Sequence, residues 1–479
     1  MTVTSPLKPT AALTRILGLG FGVALAFGNT IGVGILRLPG PVAAALGDGT
    51  LISMIWILGG VYALLGAISV AELAAMLPLA GGFYVYARRA FGERFGFVMG
   101  WNDWLANCVA AAYVAVTAAE FLLALWPGLQ PIIHPACALL VLWIPPLATR
   151  GASLDLEVIA LLIVASLTAL HWAGIRLGST VQNVISMLVG ALLVLLAVAC
   201  FVVPVPHGAL AAPPLLHSAS TLPWWSLGMI AALVPALRSV VVTYDGWYGA
   251  IYMAEETVDA SRTIPKAMIG CALLVTALYV FINLGFLHAL SLPVLAASTL
   301  PAAEVARAIL PRGADIFVTA VSLMTVLSLV NAILLGAPRV LYAVGRDGLL
   351  PSRATEVSAS GTPRVALGLT ALMVALLILS GTLEQLIAVA AVLYVLNYLS
   401  AYAAVVRLRR MEPSTLRPFK AWGYPWTTWI VLLGSATFLV ATVSEDVHSG
   451  VFACVLLALA APAYAWARHR RALGATTAR

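Results

Sequence analysis

The chain has 479 residues, of which 62% are hydrophobic and only 9% charged, far below the roughly one quarter charged that a soluble domain usually carries. A mean hydropathy of +1.02 excludes a fold that hides its apolar surface in one water-excluded core. The net charge of +7 comes from basic residues scattered between apolar runs, not gathered into the patch that nucleic acid would require.

Apolar runs of roughly 17 to 25 residues recur along the chain, each long enough to cross a hydrocarbon core of about 30 Å as a helix. The first, 17–42, follows a leader holding Lys8 and Arg15 that superficially resembles a signal peptide. No cleavage-site pattern ends it, so a retained span is expected. Near its centre it reads Gly28-Asn29-Thr30-Ile31-Gly32-Val33-Gly34. Glycines at that density weaken a helix, and the amides they free are suited to a carboxylate.

Runs at 51–76 and 95–125 follow, carrying Glu72 and Asp103 near one end. A carboxylate inside a span costs roughly 3 kcal/mol or more at the bilayer centre; helix anchoring or pairing with a loop arginine is expected for both. Runs at 132–148 and 156–174 come next, then 181–203 and 227–252. The last contains Val242-Thr243-Tyr244-Asp245-Gly246-Trp247, a second candidate break. There Asp245 is placed to cap the second half-helix, meet a substrate amine or take a proton. Runs at 267–290, 316–344, 365–380, 386–406, 426–442 and 451–466 complete thirteen candidates.

Parity decides between thirteen and twelve. Most Lys and Arg residues fall at Arg88 to Arg94, Arg176, Arg262 to Lys266, Arg346 to Arg364, Arg407 to Lys420 and after Arg468. All lie on the cytoplasmic side only if one net crossing separates Leu125 from Arg176. Twelve crossings with both termini inside are therefore expected. The run at 156–174 is the preferred crossing, because Pro145 and Pro146 interrupt its neighbour. The two breaks then lie five crossings apart, an odd number, which makes the two halves inverted relative to one another.

Arg37 and Arg238 lie toward the outer ends of the two broken spans. They are either snorkelling residues or the charges of an electropositive outer vestibule that attracts carboxylates and gates by pairing with an acidic side chain. The five cysteines sit in apolar runs without ligand spacing and are expected as core residues. The seven histidines share no face. No metal, cofactor or nucleophile–base pair is expected, and no phosphate-binding loop is present to use ATP. A gradient-driven transporter is favoured over an intramembrane enzyme, sensor or channel.

Further motifs accompany the two breaks: Pro39-Gly40; Ala71-Glu72-Leu73-Ala74, Pro78, Gly81-Gly82 and Tyr84-Val85-Tyr86; and Gly100-Trp101. Glu255-Glu256, Arg262 and Pro265 follow the second break, and Arg339, Tyr342-Ala343 and Arg346-Asp347-Gly348 come later. In this order, over about 18–425, the sequence resembles the amino acid/polyamine/organocation transporter superfamily, especially bacterial permeases related to L-type amino acid exchangers. The resemblance implies an all-α membrane protein with a leucine-transporter-like, five-plus-five inverted repeat and two appended helices. The corresponding domains are 16–205, 225–410 and 424–467, between tails at 1–15 and 468–479.

It also implies a secondary active amino-acid transporter of the cell (inner) membrane, sodium-independent, an exchanger or a proton symporter. A polyamine or ethanolamine-like amine is the alternative substrate, and no obligatory protein partner is expected. The implied substrate site comprises Thr30, Ile31, Gly32, Val33 and Gly34 with Val242, Thr243, Tyr244, Asp245, Gly246 and Trp247. Amides at Val33 and Gly34 would hold a carboxylate, while carbonyls near Thr30, Val242, Thr243 and Asp245 would face an amino group. Arg37, Arg238 and Asp245 are the gating or coupling candidates. Val33 stands where relatives often have a small hydroxyl residue. Val189 aligns with a lysine of several relatives, so lysine-based coupling is not expected.

Overall fold

A computed structural model describes residues 13–143, 153–204, 219–223, 225–310, 312–380 and 383–477. Among them the helices are α1 (Leu19–Thr30), α2 (Gly34–Arg37), α3 (Pro39–Leu46), α4 (Gly49–Met76), α5 (Phe83–Phe91), α6 (Glu93–Leu125), α7 (Gln130–Trp143), α8 (Ser153–Ala173) and α9 (Ile175–Val202). They continue as α10 (Leu227–Thr243), α11 (Ala260–Ala289), α12 (Leu292–Ala297), α13 (Pro301–Ile309), α14 (Ala314–Arg346) and α15 (Arg364–Ser380). The last four are α16 (Leu383–Met411), α17 (Trp426–Glu445), α18 (Val447–Ala458) and α19 (Ala460–Thr477).

Among the described residues nine helices are long and apolar enough to cross a membrane, and α1, α10 and α15 are shorter apolar helices. The fold is therefore an all-helical, multi-pass membrane bundle. Of α7, 14 residues up to Trp143 are described. The 21-residue α8 is long enough to cross the hydrocarbon core. Pro145 and Pro146 lie outside the described residues.

Lipid-facing and core-facing surfaces divide as a bilayer demands. Exposed Met187, Val194 and Leu195 of α9 and Leu433 of α17 point outward, because hydrocarbon, unlike water, does not penalise them. The buried interior holds Trp56, Phe83, Tyr84, Tyr248, Tyr279 and Phe286. Cys108, Cys137, Cys200 and Cys271 are buried as expected, but Cys454 is exposed: it lies on α18, where the bundle covers less of the surface.

Both broken spans differ from the uninterrupted runs of the sequence. The first stops at Thr30 and restarts at Gly34, and Leu38, with helical dihedrals (φ −73°, ψ −16°), joins α2 to α3. In the sixth, α10 stops at Thr243 and a 3-10 segment, Gly249–Glu256, carries the chain on. Both half-helices end alike. The Thr30 hydroxyl donates to the Ala26 carbonyl at 2.8 Å and the Thr243 hydroxyl to the Ser239 carbonyl at 2.7 Å, a back-bond that competes with further helical turns.

Candidate functional site

The two breaks abut. Asn29 Nδ2 donates to the Gly246 carbonyl at 3.0 Å, and Gly246 adopts φ +111°, a conformation that favours glycine. A Cβ on Gly34 would stand 3.1 Å from the Thr243 side chain. Around the first break, the N–H groups of Gly32, Val33 and Gly34 donate to no backbone carbonyl among the described residues. These are free donors in a partly exposed position, as an anion requires.

Two of the carbonyls expected to face an amino group accept from one hydroxyl. The Tyr279 hydroxyl of α11 lies 3.3 Å from the Thr30 carbonyl and 3.2 Å from the Thr243 carbonyl, bridging the two breaks. Its ring packs against Tyr244 and Trp56 at centroid distances of 5.0 and 5.9 Å. Sequence reasoning missed Tyr279 because a tyrosine in an apolar helix carries no local mark of what its hydroxyl meets. Asn29 was readable, as a polar residue inside the break motif.

A cavity of about 570 Å³ lies beside α10, within the roughly 300–1,000 Å³ typical of small-molecule sites. From the expected set it brings together Arg238, Val242, Tyr244, Asp245 and Trp247, and the first span contributes Leu38. Thr30, Ile31, Gly32, Val33, Gly34, Thr243, Gly246 and Arg37 do not line it. The amides of the first break are thus not part of that cavity's lining, although Leu38 of the same span is.

Tyr398 of α16 donates its hydroxyl to Asp245 Oδ1 and stacks on Trp247 at 5.7 Å and 16°. Asp245 was expected as a possible helix cap; the N-cap of the 3-10 segment is Tyr248, with no side-chain cap. Arg37 is exposed, and its charge acts on Glu120 of α6, an acidic residue the sequence reading did not single out.

The opposite end of the bundle is closed by ion pairs. Arg339 of α14 holds Glu256 through two hydrogen bonds, of 3.0 and 2.9 Å, with the side chains 2% and 1% exposed. Arg346 pairs with Glu255. Arg88 and the Tyr84 hydroxyl both meet Asp347 Oδ2, at 2.7 and 2.6 Å. The Ile16 and Leu17 N–H groups donate to the Glu256 carbonyl at 3.0 and 2.9 Å, tying the start of the described chain to the end of the sixth span.

Glu72 pairs with a loop arginine as expected, Arg417 at 3.2 Å, and also with Arg409 of α16 at 2.8 Å. Asp103 does not. It takes hydrogen bonds from Tyr252, Asn397 and Asn107, because at its depth in α6 neutral donors surround it and the loop arginines do not reach.

A third polar cluster joins α1, α9 and α14. Gln182 Nε2 approaches Ser186 Oγ and Ser328 Oγ at 3.0 Å and the Ala24 carbonyl at 3.4 Å. Asn331 Nδ2 donates to Gln182 Oε1 at 2.7 Å. Val189, one helical position set further along α9, is buried and apolar.

These features accompany a match to the amino acid permease family over residues 22–460. The chain belongs to the amino acid permease family. It is 26% identical over 465 residues to the serine/threonine exchanger SteT of Bacillus subtilis (strain 168), covering 96% of this chain and 98% of that protein. It is 29% identical over 428 residues to the branched-chain amino acid permease BcaP of the same organism, covering 86% and 85%. The large neutral amino acids transporter small subunit 2 of Rattus norvegicus is 29% identical over 415 residues, covering 85% and 73%. The family and these relatives are transporters, not enzymes, and the family resemblance carried by the sequence motifs holds for this amino acid permease.

Proposed function

We propose that this chain is a secondary active amino-acid transporter working by alternating access, sodium-independent, with a neutral amino acid as substrate. The observation that carries the reading is the abutting pair of breaks. Free amides at Gly32, Val33 and Gly34 receive the carboxylate, and the side chain extends along α10 toward Tyr244 and Trp247. The cavity lies toward Arg238, while Arg339–Glu256 and Arg88–Asp347 close the other end. This is the asymmetry of a carrier open to one side at a time.

Basic residues concentrate at the closed end, which supports a cytoplasmic placement of that end, with both termini inside and twelve spans in the cell membrane. Residues 16–205 and 225–410 are the inverted halves, and 424–467 is the addition. Sodium independence is supported by Gln182, whose amide nitrogen lies 3.0 Å from the Ser186 and Ser328 hydroxyl oxygens, while the Ala24 carbonyl accepts from Ser186. Exchange is supported by the relative that is itself an exchanger. A second reading, an amine permease, is favoured by Asp245 amid Trp247, Tyr398 and Tyr113, since rings around a carboxylate suit an organic cation.

The test is counterflow in proteoliposomes. Internal neutral amino acid is expected to accelerate uptake of external labelled amino acid equally in sodium and choline buffers. A strict sodium requirement would overturn the coupling claim, and lack of trans-stimulation by any amino acid the transporter reading; stimulation by amines alone would favour the second. Within this site, Gly34→Leu is expected to weaken substrate binding by roughly tenfold or more, about 1.4 kcal/mol per decade. The side chain either pushes on Thr243 or fills the space before the amides. Affinity equal to wild type in a thermal-shift titration of folded protein would remove the first break from the site.

A further inference from the structure

We propose that Asp103 is a proton-binding site, the group on which this protein carries a coupling proton; the proposal rests on the transporter reading above. Asp103 is fully buried in α6. Its Oδ1 accepts from the Tyr252 hydroxyl at 2.7 Å, from Asn397 Nδ2 at 3.1 Å and from Asn107 Nδ2 at 3.3 Å. Its Oδ2 has no hydrogen-bond partner among the described residues, and neither has the buried Tyr86 hydroxyl. The Phe83 N–H approaches the carboxyl without completing a bond to Oδ2.

An ionised carboxylate deep in a bundle requires a cation or donors on both oxygens. Here one oxygen is crowded with donors and the other has none, and among the described residues no salt bridge involves Asp103. The titratable groups that face it are hydroxyls: Tyr86 from α5, Tyr248 just before the 3-10 segment, Tyr252 within it, and Tyr394 from α16. On α14, the helix packed along α6, the buried cation Arg339 is committed to Glu256. A carboxylic acid fits the arrangement. Oδ1 is then the carbonyl oxygen that accepts, and Oδ2 is the hydroxyl oxygen that bears the proton.

A row of packed tyrosines joins it to the substrate cavity. Tyr394 lines that cavity together with Asp245, its ring lies 6.2 Å from Tyr248, and Tyr248 lies 6.2 Å from Tyr252, whose hydroxyl touches Asp103. On the outer side one proton binds the carboxylate and an O–H bond forms at Oδ2. On the inner side that bond breaks and the proton leaves. Because Tyr252 belongs to the inner half of the sixth span and Asn397 to α16, occupancy of Asp103 acts on two helices that pack beside the cavity.

The test compares wild type with Asp103→Asn in proteoliposomes, reading counterflow at equal pH and uptake driven by an imposed gradient, acid outside, with the membrane potential clamped. Wild type is expected to accumulate amino acid in response to the gradient. Asp103→Asn is expected to keep counterflow and lose gradient-driven accumulation by roughly tenfold or more. Gradient-driven accumulation equal to wild type in Asp103→Asn overturns the proposal, as does a wild type that exchanges but ignores the gradient. No counterflow in wild type removes the transporter reading and the proposal with it. Should Asp103→Asn not fold, Asn397→Leu removes one donor from Oδ1. The pH midpoint of gradient-driven uptake then moves upward if Asp103 carries the proton, and an unmoved midpoint overturns the assignment.

Discussion

Replacing Glu256 by glutamine is expected to destabilise the folded protein by about 3–5 kcal/mol, the cost of leaving one member of a buried ion pair without its partner. Arg339 is 2% exposed, and its guanidinium is held by both Glu256 oxygens and by the Leu335 carbonyl at 2.6 Å. Glutamine returns one neutral acceptor and turns an amide toward the arginine, so the positive charge stays buried and uncompensated. The measurement is the thermal unfolding midpoint in detergent for Glu256→Gln, Arg339→Met and the double variant Glu256→Leu/Arg339→Met. The double variant is expected to recover most of the loss, because removing both charges also removes their desolvation cost. The partly exposed pair of Arg88 and Asp347, at 40% and 14%, supplies the contrast, with an expected contribution of about 0–1 kcal/mol. A Glu256→Gln protein unfolding at the wild-type temperature would show that the pair contributes nothing to the closed end.

Gly246→Ala is expected to disrupt the substrate site more severely than any other single-methyl change in the breaks. The added Cβ would stand 2.2 Å from the Asn29 carbonyl oxygen, 2.5 Å from its carbon and 2.8 Å from Thr30 Cα. All three are backbone atoms that cannot rotate aside. The φ of +111° adds strain, a left-handed conformation alone costing roughly 1–2 kcal/mol for a residue with a Cβ. The two breaks must separate, which breaks the Asn29–Gly246 bond and the bridge made by Tyr279. The expected total is on the order of 3–5 kcal/mol, seen as loss of ligand-induced thermal stabilisation and a lower midpoint. Gly32→Ala is the control. Its Cβ would meet only Leu329 Cδ2, at 4.0 Å, and the midpoint should stay within about 0.5 kcal/mol of wild type. Equal behaviour of the two alanines would mean that the breaks do not pack as described.

The sequence by itself determined the properties that depend on what neighbours along the chain do together. Apolar runs long enough to cross a bilayer specify a helical membrane protein, since each run satisfies its own backbone hydrogen bonds. Glycines at 28, 32 and 34 and at 246 mark both breaks, because backbone freedom is a local property. The Glu255-Glu256 and Arg339 motifs were visible too, but as separate features. Their pairing joins residues 83 apart, and nothing in either segment names the other. The same distance hid Tyr279, Tyr398 and the donors to Asp103, since a hydroxyl in an apolar helix reveals a role only when another helix brings a carbonyl or carboxylate to it. The placement of Asp103 among neutral donors and the gathering of Arg238, Val242, Tyr244, Asp245 and Trp247 on one cavity were likewise decided by helix packing. Packing fixes which of several equally apolar faces turns inward, and in a chain that is apolar on nearly every face, periodicity leaves that choice open.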